Sequence, residues 1–133
     1  MQELKEHVLS LVPRKKIDWL IERLSQLLPA CGIAYTDHEK RSEKRLVVAT
    51  EVAITPLDQN FQPMEEPFMA VTRDLTIHGI GLLLPRAVDA PFLAVEFTSG
   101  IVGDVQLVSK VLRCNRQGNY YDVGGIFVTG IMN

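Results

Sequence analysis

Apolar and polar positions fall into two textures along the chain. Across 17–28, apolar residues recur at Ile17, Leu20, Ile21, Leu24, Leu27 and Leu28, with Asp18, Glu22, Arg23 and Gln26 between them. That is the spacing of one face of a helix. Pro13 suits the first turn of such a helix, and Pro29 with the Cys31-Gly32 pair stops it. Leu4, Val8 and Leu11 predict a short separate helix ending near Pro13. The stripe has two uses: packing on the core of its own domain, or docking a partner or a second copy of the chain with Trp19 beside it.

From Leu46 onward the period shortens to two. Residues 46–55 are rich in valine and isoleucine, with Val48, Val52 and Ile54 on one face of a strand. The prolines and polar residues of 56–67 predict a loop. Further strands are expected at 68–73 and 80–84, the latter closed by Pro85, and where Leu93, Val95 and Phe97 alternate with Ala94 and Glu96. The run 102–113 sets Val105, Leu107, Ser109 and Val111 on one side, and Gln117-Gly118-Asn119 predicts a hairpin turn into 120–128. Gly124-Gly125 within that last run predicts a bulge or bend. About six antiparallel strands with short connections favour a small barrel, because closure removes exposed edges. The expected fold is therefore mainly β, a six-stranded antiparallel β-barrel with an N-terminal α-helical segment, divided into a helical extension over 1–30 and a barrel domain over 31–133.

Composition narrows the function. At 133 residues the chain suits one domain with a real core, and 47% hydrophobic with 23% charged residues is ordinary for a soluble protein. A net charge of −2 gives no general attraction to nucleic acid or membrane, so an anion site has to be local. Cys31 and Cys114 do not make a disulfide framework, and neither a secretory signal nor a 20-residue apolar span is visible, so a reduced cytoplasmic setting is expected. His7, His38 and His78 are dispersed, which predicts no metal site. No paired carboxylates, Ser/His/Asp or Cys/His pattern is present to carry catalysis, so an enzyme is not expected and neither is a cofactor. Basic residues are not interleaved with aromatics in the strands, which argues against a nucleic-acid-binding barrel.

Two short motifs remain. Arg41-Ser42-Glu43-Lys44-Arg45 sets two guanidinium groups four residues apart in a polar stretch just before the long β run. Asp74-Leu75-Thr76-Ile77-His78-Gly79 sets an acid, a hydroxyl and a glycine at turn spacing between two other β runs. Arginine offers forked donors to phosphates and to the O6/N7 edge of guanine, a geometry lysine does not match. Asp74 offers acceptors to the complementary N1–H and N2–H₂ edge. Thr76 adds a hydroxyl that also orders the turn, and Gly79 supplies a special backbone conformation or room for the ligand. Lys40 adds charge next to the first arginine, and Arg113, near the end of a strand, is a further candidate for the same face. Without a ligand, the arginines would be solvated loop charges paired with Glu39 or Glu43, and Asp74 with Thr76 an Asx-type turn.

Placed in this order, the two motifs resemble those of the PilZ domain family, which is marked by R-x-x-x-R ahead of a β-barrel and D/N-x-S/A-x-x-G in a later turn. The segment Tyr121-Asp122-Val123-Gly124-Gly125-Ile126-Phe127 is similar to the family's closing strand, and the resemblance covers about residues 38 to 129. Threonine at 76 and histidine at 78 depart from the pattern, which has serine or alanine and frequently a small residue there. The resemblance implies a six-stranded barrel that binds cyclic di-GMP, a bacterial second messenger, as an effector. It also implies a switch. The polar stretch 37–44 carries like charges at Lys40, Arg41 and Lys44 beside Arg45, and a dianionic ligand would clamp it against the barrel and reorient the preceding helices toward a protein partner. The competing reading is a PilZ-like interaction module that does not bind nucleotide.

Overall fold

The computed structural model describes residues 19, 21–23, 32–35, 44–98 and 105–128. Among these residues, eight strands run in chain order: β1 (Gly32–Tyr35), β2 (Lys44–Val47), β3 (Glu51–Leu57), β4 (Phe68–Leu75), β5 (Gly79–Leu84), β6 (Phe92–Phe97), β7 (Val105–Gln117) and β8 (Tyr120–Phe127). All neighbouring pairs are antiparallel. Six of them close on themselves in the order β4-β3-β6-β7-β8-β5, with β5 returning to β4. β1 pairs with β2, and β2 joins the end of β4 through Leu46↔Leu75 and Val47↔Asp74.

The barrel interior follows from period-two alternation. Val52, Ile54, Leu82, Leu93, Val95, Phe97, Leu107 and Val123 are buried in one core, so side chains fill the barrel as in other small ones. Truncating Ile54, Leu82, Leu93, Phe97 or Leu107 to alanine would cost about 2–5 kcal/mol. Ile21 belongs to the same core at 2% exposure, whereas Trp19 is exposed. Of the expected N-terminal helices, helical conformation is described only at Trp19 and 21–23; the remainder of that expectation lies outside the described residues.

Three strand expectations change. The run 46–55 is broken at 48–50 into β2 and β3. Thr72 of β4 accounts for the break: its hydroxyl donates to the Val48 carbonyl at 2.6 Å and accepts from the Thr50 amide at 3.0 Å, taking polar groups of the detour out of the strand ladder. β3 extends through Pro56, beyond its last pairing with β4 at Ile54↔Phe68, and Pro56 accepts at its carbonyl from the Met64 amide. The bulge expected at Gly124-Gly125 sits on the facing strand, where Leu112 is the extra residue between Val111↔Gly125 and Arg113↔Gly124. The Gly118-Asn119 turn is as expected, with Gly118 at φ 65° as a two-residue hairpin requires.

A second, smaller apolar cluster lies on the outside of the barrel. Leu57, Ala94 and Val108 are covered there by Phe61, Phe92 and Val128, with the Phe61 and Phe92 rings 4.6 Å apart. Asp58 folds the covering loop by accepting from the Asn60 and Gln62 amides at 2.8 and 3.0 Å.

Candidate functional site

Two β-bulges build the site. On β4 the register against β5 shifts between Thr72 and Asp74, making Arg73 the extra residue; on β7 Leu112 is the extra residue against β8. At a bulge, two consecutive side chains can reach the same side of the sheet instead of alternating. Arg73 with Asp74, and Leu112 with Arg113, accordingly all line one outer cleft of about 250 Å³, together with Thr76, His78 and Ile126. Between the bulges runs a floor with few side chains, where Gly81 of β5 pairs with Gly124 of β8 and Gly79 and Gly125 lie beside them.

The four glycines divide into two kinds. A Cβ at Gly79 would overlap the Gly125 carbonyl oxygen, and one at Gly125 would meet Ser109 Oγ and stand 2.5 Å from the Lys110 carbonyl oxygen. These two are bare because strands or core residues approach closely. A Cβ at Gly81 would instead meet Arg73 and Asp74 side-chain atoms, with Asp74 Oδ1 at 2.5 Å and Arg73 Cζ at 2.8 Å. At Gly124 the three nearest atoms it would meet all belong to the Arg113 guanidinium, at 2.7–3.2 Å. Gly81 and Gly124 are therefore bare where charged side chains lie on them. Gly79 has no positive φ, so its place in the turn motif reflects close packing and not a left-handed backbone.

The charges form one chain across the floor. Arg45 Nη1 stands 3.9 Å from Asp74 Oδ2, and Arg73 Nη2 stands 3.5 Å from Asp74 Oδ1. Arg73 Nη1 donates to Asp122 Oδ1, which also lies 3.8 Å from Arg113 Nη2. Three guanidinium groups and two carboxylates leave a local charge of +1 on a protein whose net charge is −2. Arg45 Nε is buried with no hydrogen-bond partner, an unsatisfied donor on this side of the chain of charges. Exposed apolar side chains border the charges, Leu112 at 60% and Ile126 at 44% exposure.

The turn after β4 is held by Thr76. Its hydroxyl oxygen accepts from the His78 and Gly79 amides, both at 3.1 Å, while its own amide donates to the Gly79 carbonyl at 2.9 Å. Threonine thus performs the turn-ordering role, and its O–H proton remains available to donate.

The structure brings Arg45, Asp74, Thr76, Gly79 and Arg113 to one face. Arg41 and Lys40 lie outside the described residues. Lys44 and Arg45 sit on β2, paired with Tyr35 and Ala34, so the polar stretch expected to move ends before them and Arg45 is anchored in a ladder. Arg73 and Asp122 belong to neither motif, and local spacing in the sequence does not mark them as site residues. Arg73 directly precedes the turn motif, but strict alternation sends it to the opposite face from Asp74, and only the bulge reverses that. Among the described residues no group of three His, Cys, Asp or Glu side chains is placed to hold a metal ion, and no helix is long and apolar enough to cross a membrane.

A scan against models of known protein families gives no match to this chain, and a search of curated proteins gives none either.

Proposed function

We propose that this chain is a PilZ-like receptor for cyclic di-GMP, an effector that binds the nucleotide without turning it over and passes the signal to a protein partner. The observation that carries the reading is the meeting of the two motifs. Arg45 comes from β2 and Asp74 from the end of β4, and their charged groups face each other at 3.9 Å beside a turn ordered by Thr76. Cyclic di-GMP presents two phosphates and two guanines. Arg45 supplies forked donors for a phosphate or for guanine O6/N7, and Asp74 supplies the acceptor for guanine N1–H and N2–H₂. Arg45 is loosely paired and about two-fifths exposed, at 43%, so its outer guanidinium nitrogens are open to an incoming anion. Arg41 and Lys40, which precede β2 in the sequence, are proposed to add positive charge for the phosphates. Ligand capture by these residues would reorient the expected N-terminal helical segment toward a protein partner, which is the proposed output.

A second reading draws on the same ion pairs. Asp74 and Asp122 already partner three arginines, as in a PilZ-like interaction module that takes no nucleotide. Titration calorimetry with cyclic di-GMP separates the two. The receptor reading expects saturable heat with the wild type and a loss of about 2 kcal/mol or more for Arg45→Ala, as when one side of a charged pair is truncated. Absence of heat at tens of micromolar wild-type protein would leave the interaction module standing.

A further inference from the structure

The Arg73 and Arg113 guanidinium groups share an arrangement that ion pairing alone does not require. Both lie on the cross-strand pair Gly81–Gly124, Arg73 against Gly81 and Arg113 against Gly124. At Gly124 the Cβ position is nearly equidistant from Arg113 Nη1, Cζ and Nη2, at 2.7, 2.9 and 3.2 Å. A point so placed lies above the plane of the group, so this guanidinium presents one face to the floor and the other to the cleft. The Arg73 fork is taken at both ends by carboxylates, Nη1 by Asp122 and Nη2 by Asp74 at 3.5 Å, and Asp122 reaches on toward Arg113 at 3.8 Å.

With the Arg73 fork directed at two acids and the Arg113 plane laid on the backbone, what these groups offer a ligand is their planar faces. Leu112 and Ile126, both exposed, stand on the same cleft and supply apolar contact for a flat ring. The geometry points to a base-stacking shelf: Arg73 and Arg113, laid over bare glycines and aligned by Asp122, take the face of a purine base of the ligand. This rests on the receptor reading and assigns a specificity-determining contact to Arg73, which belongs to neither motif. Asp122 is its positioning residue. The division of labour is then complete, with Asp74 reading a guanine edge, Arg45 taking anionic or O6/N7 contacts, and the shelf taking a base face.

Lysine replaces the charge and removes the plane, so Arg73→Lys and Arg113→Lys separate stacking from simple attraction to phosphate. Cyclic di-GMP is titrated into the wild type, the two lysine variants and Gly124→Ala, whose added methyl meets the Arg113 guanidinium and lifts it from the floor; thermal melts of each establish that the fold is kept. The shelf predicts a loss of roughly tenfold in affinity for each lysine variant, the scale of one stacked base, with the salt dependence of binding unchanged. Gly124→Ala is expected to weaken binding with no change in charge. Wild-type binding together with lysine and Gly124→Ala variants that bind equally well would overturn the shelf and leave the receptor reading intact. No binding by the wild type would overturn both.

Discussion

Asp74→Ala separates the stability of the site from its function, because the carboxylate does little for the fold. Its two ionic contacts, to Arg45 at 3.9 Å and Arg73 at 3.5 Å, are longer than the ~2.7–2.9 Å of charge-assisted hydrogen bonds. The arginine partners are themselves one-third to two-fifths exposed, at 33% and 43%. Partly solvated pairs of this kind contribute about 0–1 kcal/mol each, so the variant should lose on the order of 1 kcal/mol of stability and about 2–5 °C in Tm. In the proposed receptor the carboxylate counts for more toward the ligand. Two hydrogen bonds from guanine N1–H and N2–H₂ to one ionised acceptor contribute about 2–3 kcal/mol together, so affinity should fall roughly 30- to 150-fold. Paired calorimetry and thermal denaturation test both halves. Affinity within twofold of the wild type would refute the guanine-edge assignment. A fall of more than about 10 °C in Tm would show that Asp74 is mainly a structural residue.

Three further substitutions probe how the site is framed. Gly125→Ala places a methyl on Ser109 Oγ and the Lys110 carbonyl, so overpacking should cost about 1–3 kcal/mol in denaturant unfolding, whereas Gly124→Ala should unfold close to the wild type. Equal destabilisation by the two would contradict the division of the glycines. Thr76→Val removes the acceptor of the His78 and Gly79 amides and should cost about 1 kcal/mol, while Thr76→Ser should retain the turn; faster amide exchange at 78 and 79 in the valine variant alone is the expected readout. Thr72→Val leaves the Val48 carbonyl and the Thr50 amide without their partner next to the core, with an expected loss of about 2–4 kcal/mol in urea unfolding; a loss under 0.5 kcal/mol would mean that β2 and β3 do not depend on that bridge.

Much of the barrel is legible in the sequence because its inward positions recur with a period of two, even where the outer face is also covered, at Ala94 and Val108. The alternation at Leu93, Val95 and Phe97, and at Val105, Leu107 and Ser109, corresponds residue for residue to buried positions. The split of 46–55 is invisible in that pattern, since Val48 is buried just as a continuous strand would have it and the break is made by Thr72 from another strand. β1 escapes notice because Gly32-Ile33-Ala34-Tyr35 is too short and too small-residue-rich to show a period. The candidate site is legible as far as its motifs go: Asp74, Thr76 and Gly79 form a turn, and Arg45 faces it. Arg73 and Asp122 are not, because their proximity depends on a one-residue register shift and on a pairing of β5 with β8 that no local spacing encodes. Gly124 reads in sequence as part of a bulge or bend, and the meaning of Gly81 and Gly124 as a floor for charged groups emerges only with the neighbours in place.

The outer face between the two bulges is the proposed binding site for cyclic di-GMP. Amide chemical-shift mapping of the isotopically labelled protein titrated with the nucleotide tests it most directly, because it reports binding and location together. Saturable shifts are expected at Arg45, at 73–81, at Leu112 and Arg113 and at 122–126, with the amides of Phe61, Phe92 and Ala94 on the outer apolar cluster unmoved. A spectrum unchanged at millimolar nucleotide, or shifts centred on that outer cluster, would contradict the proposal.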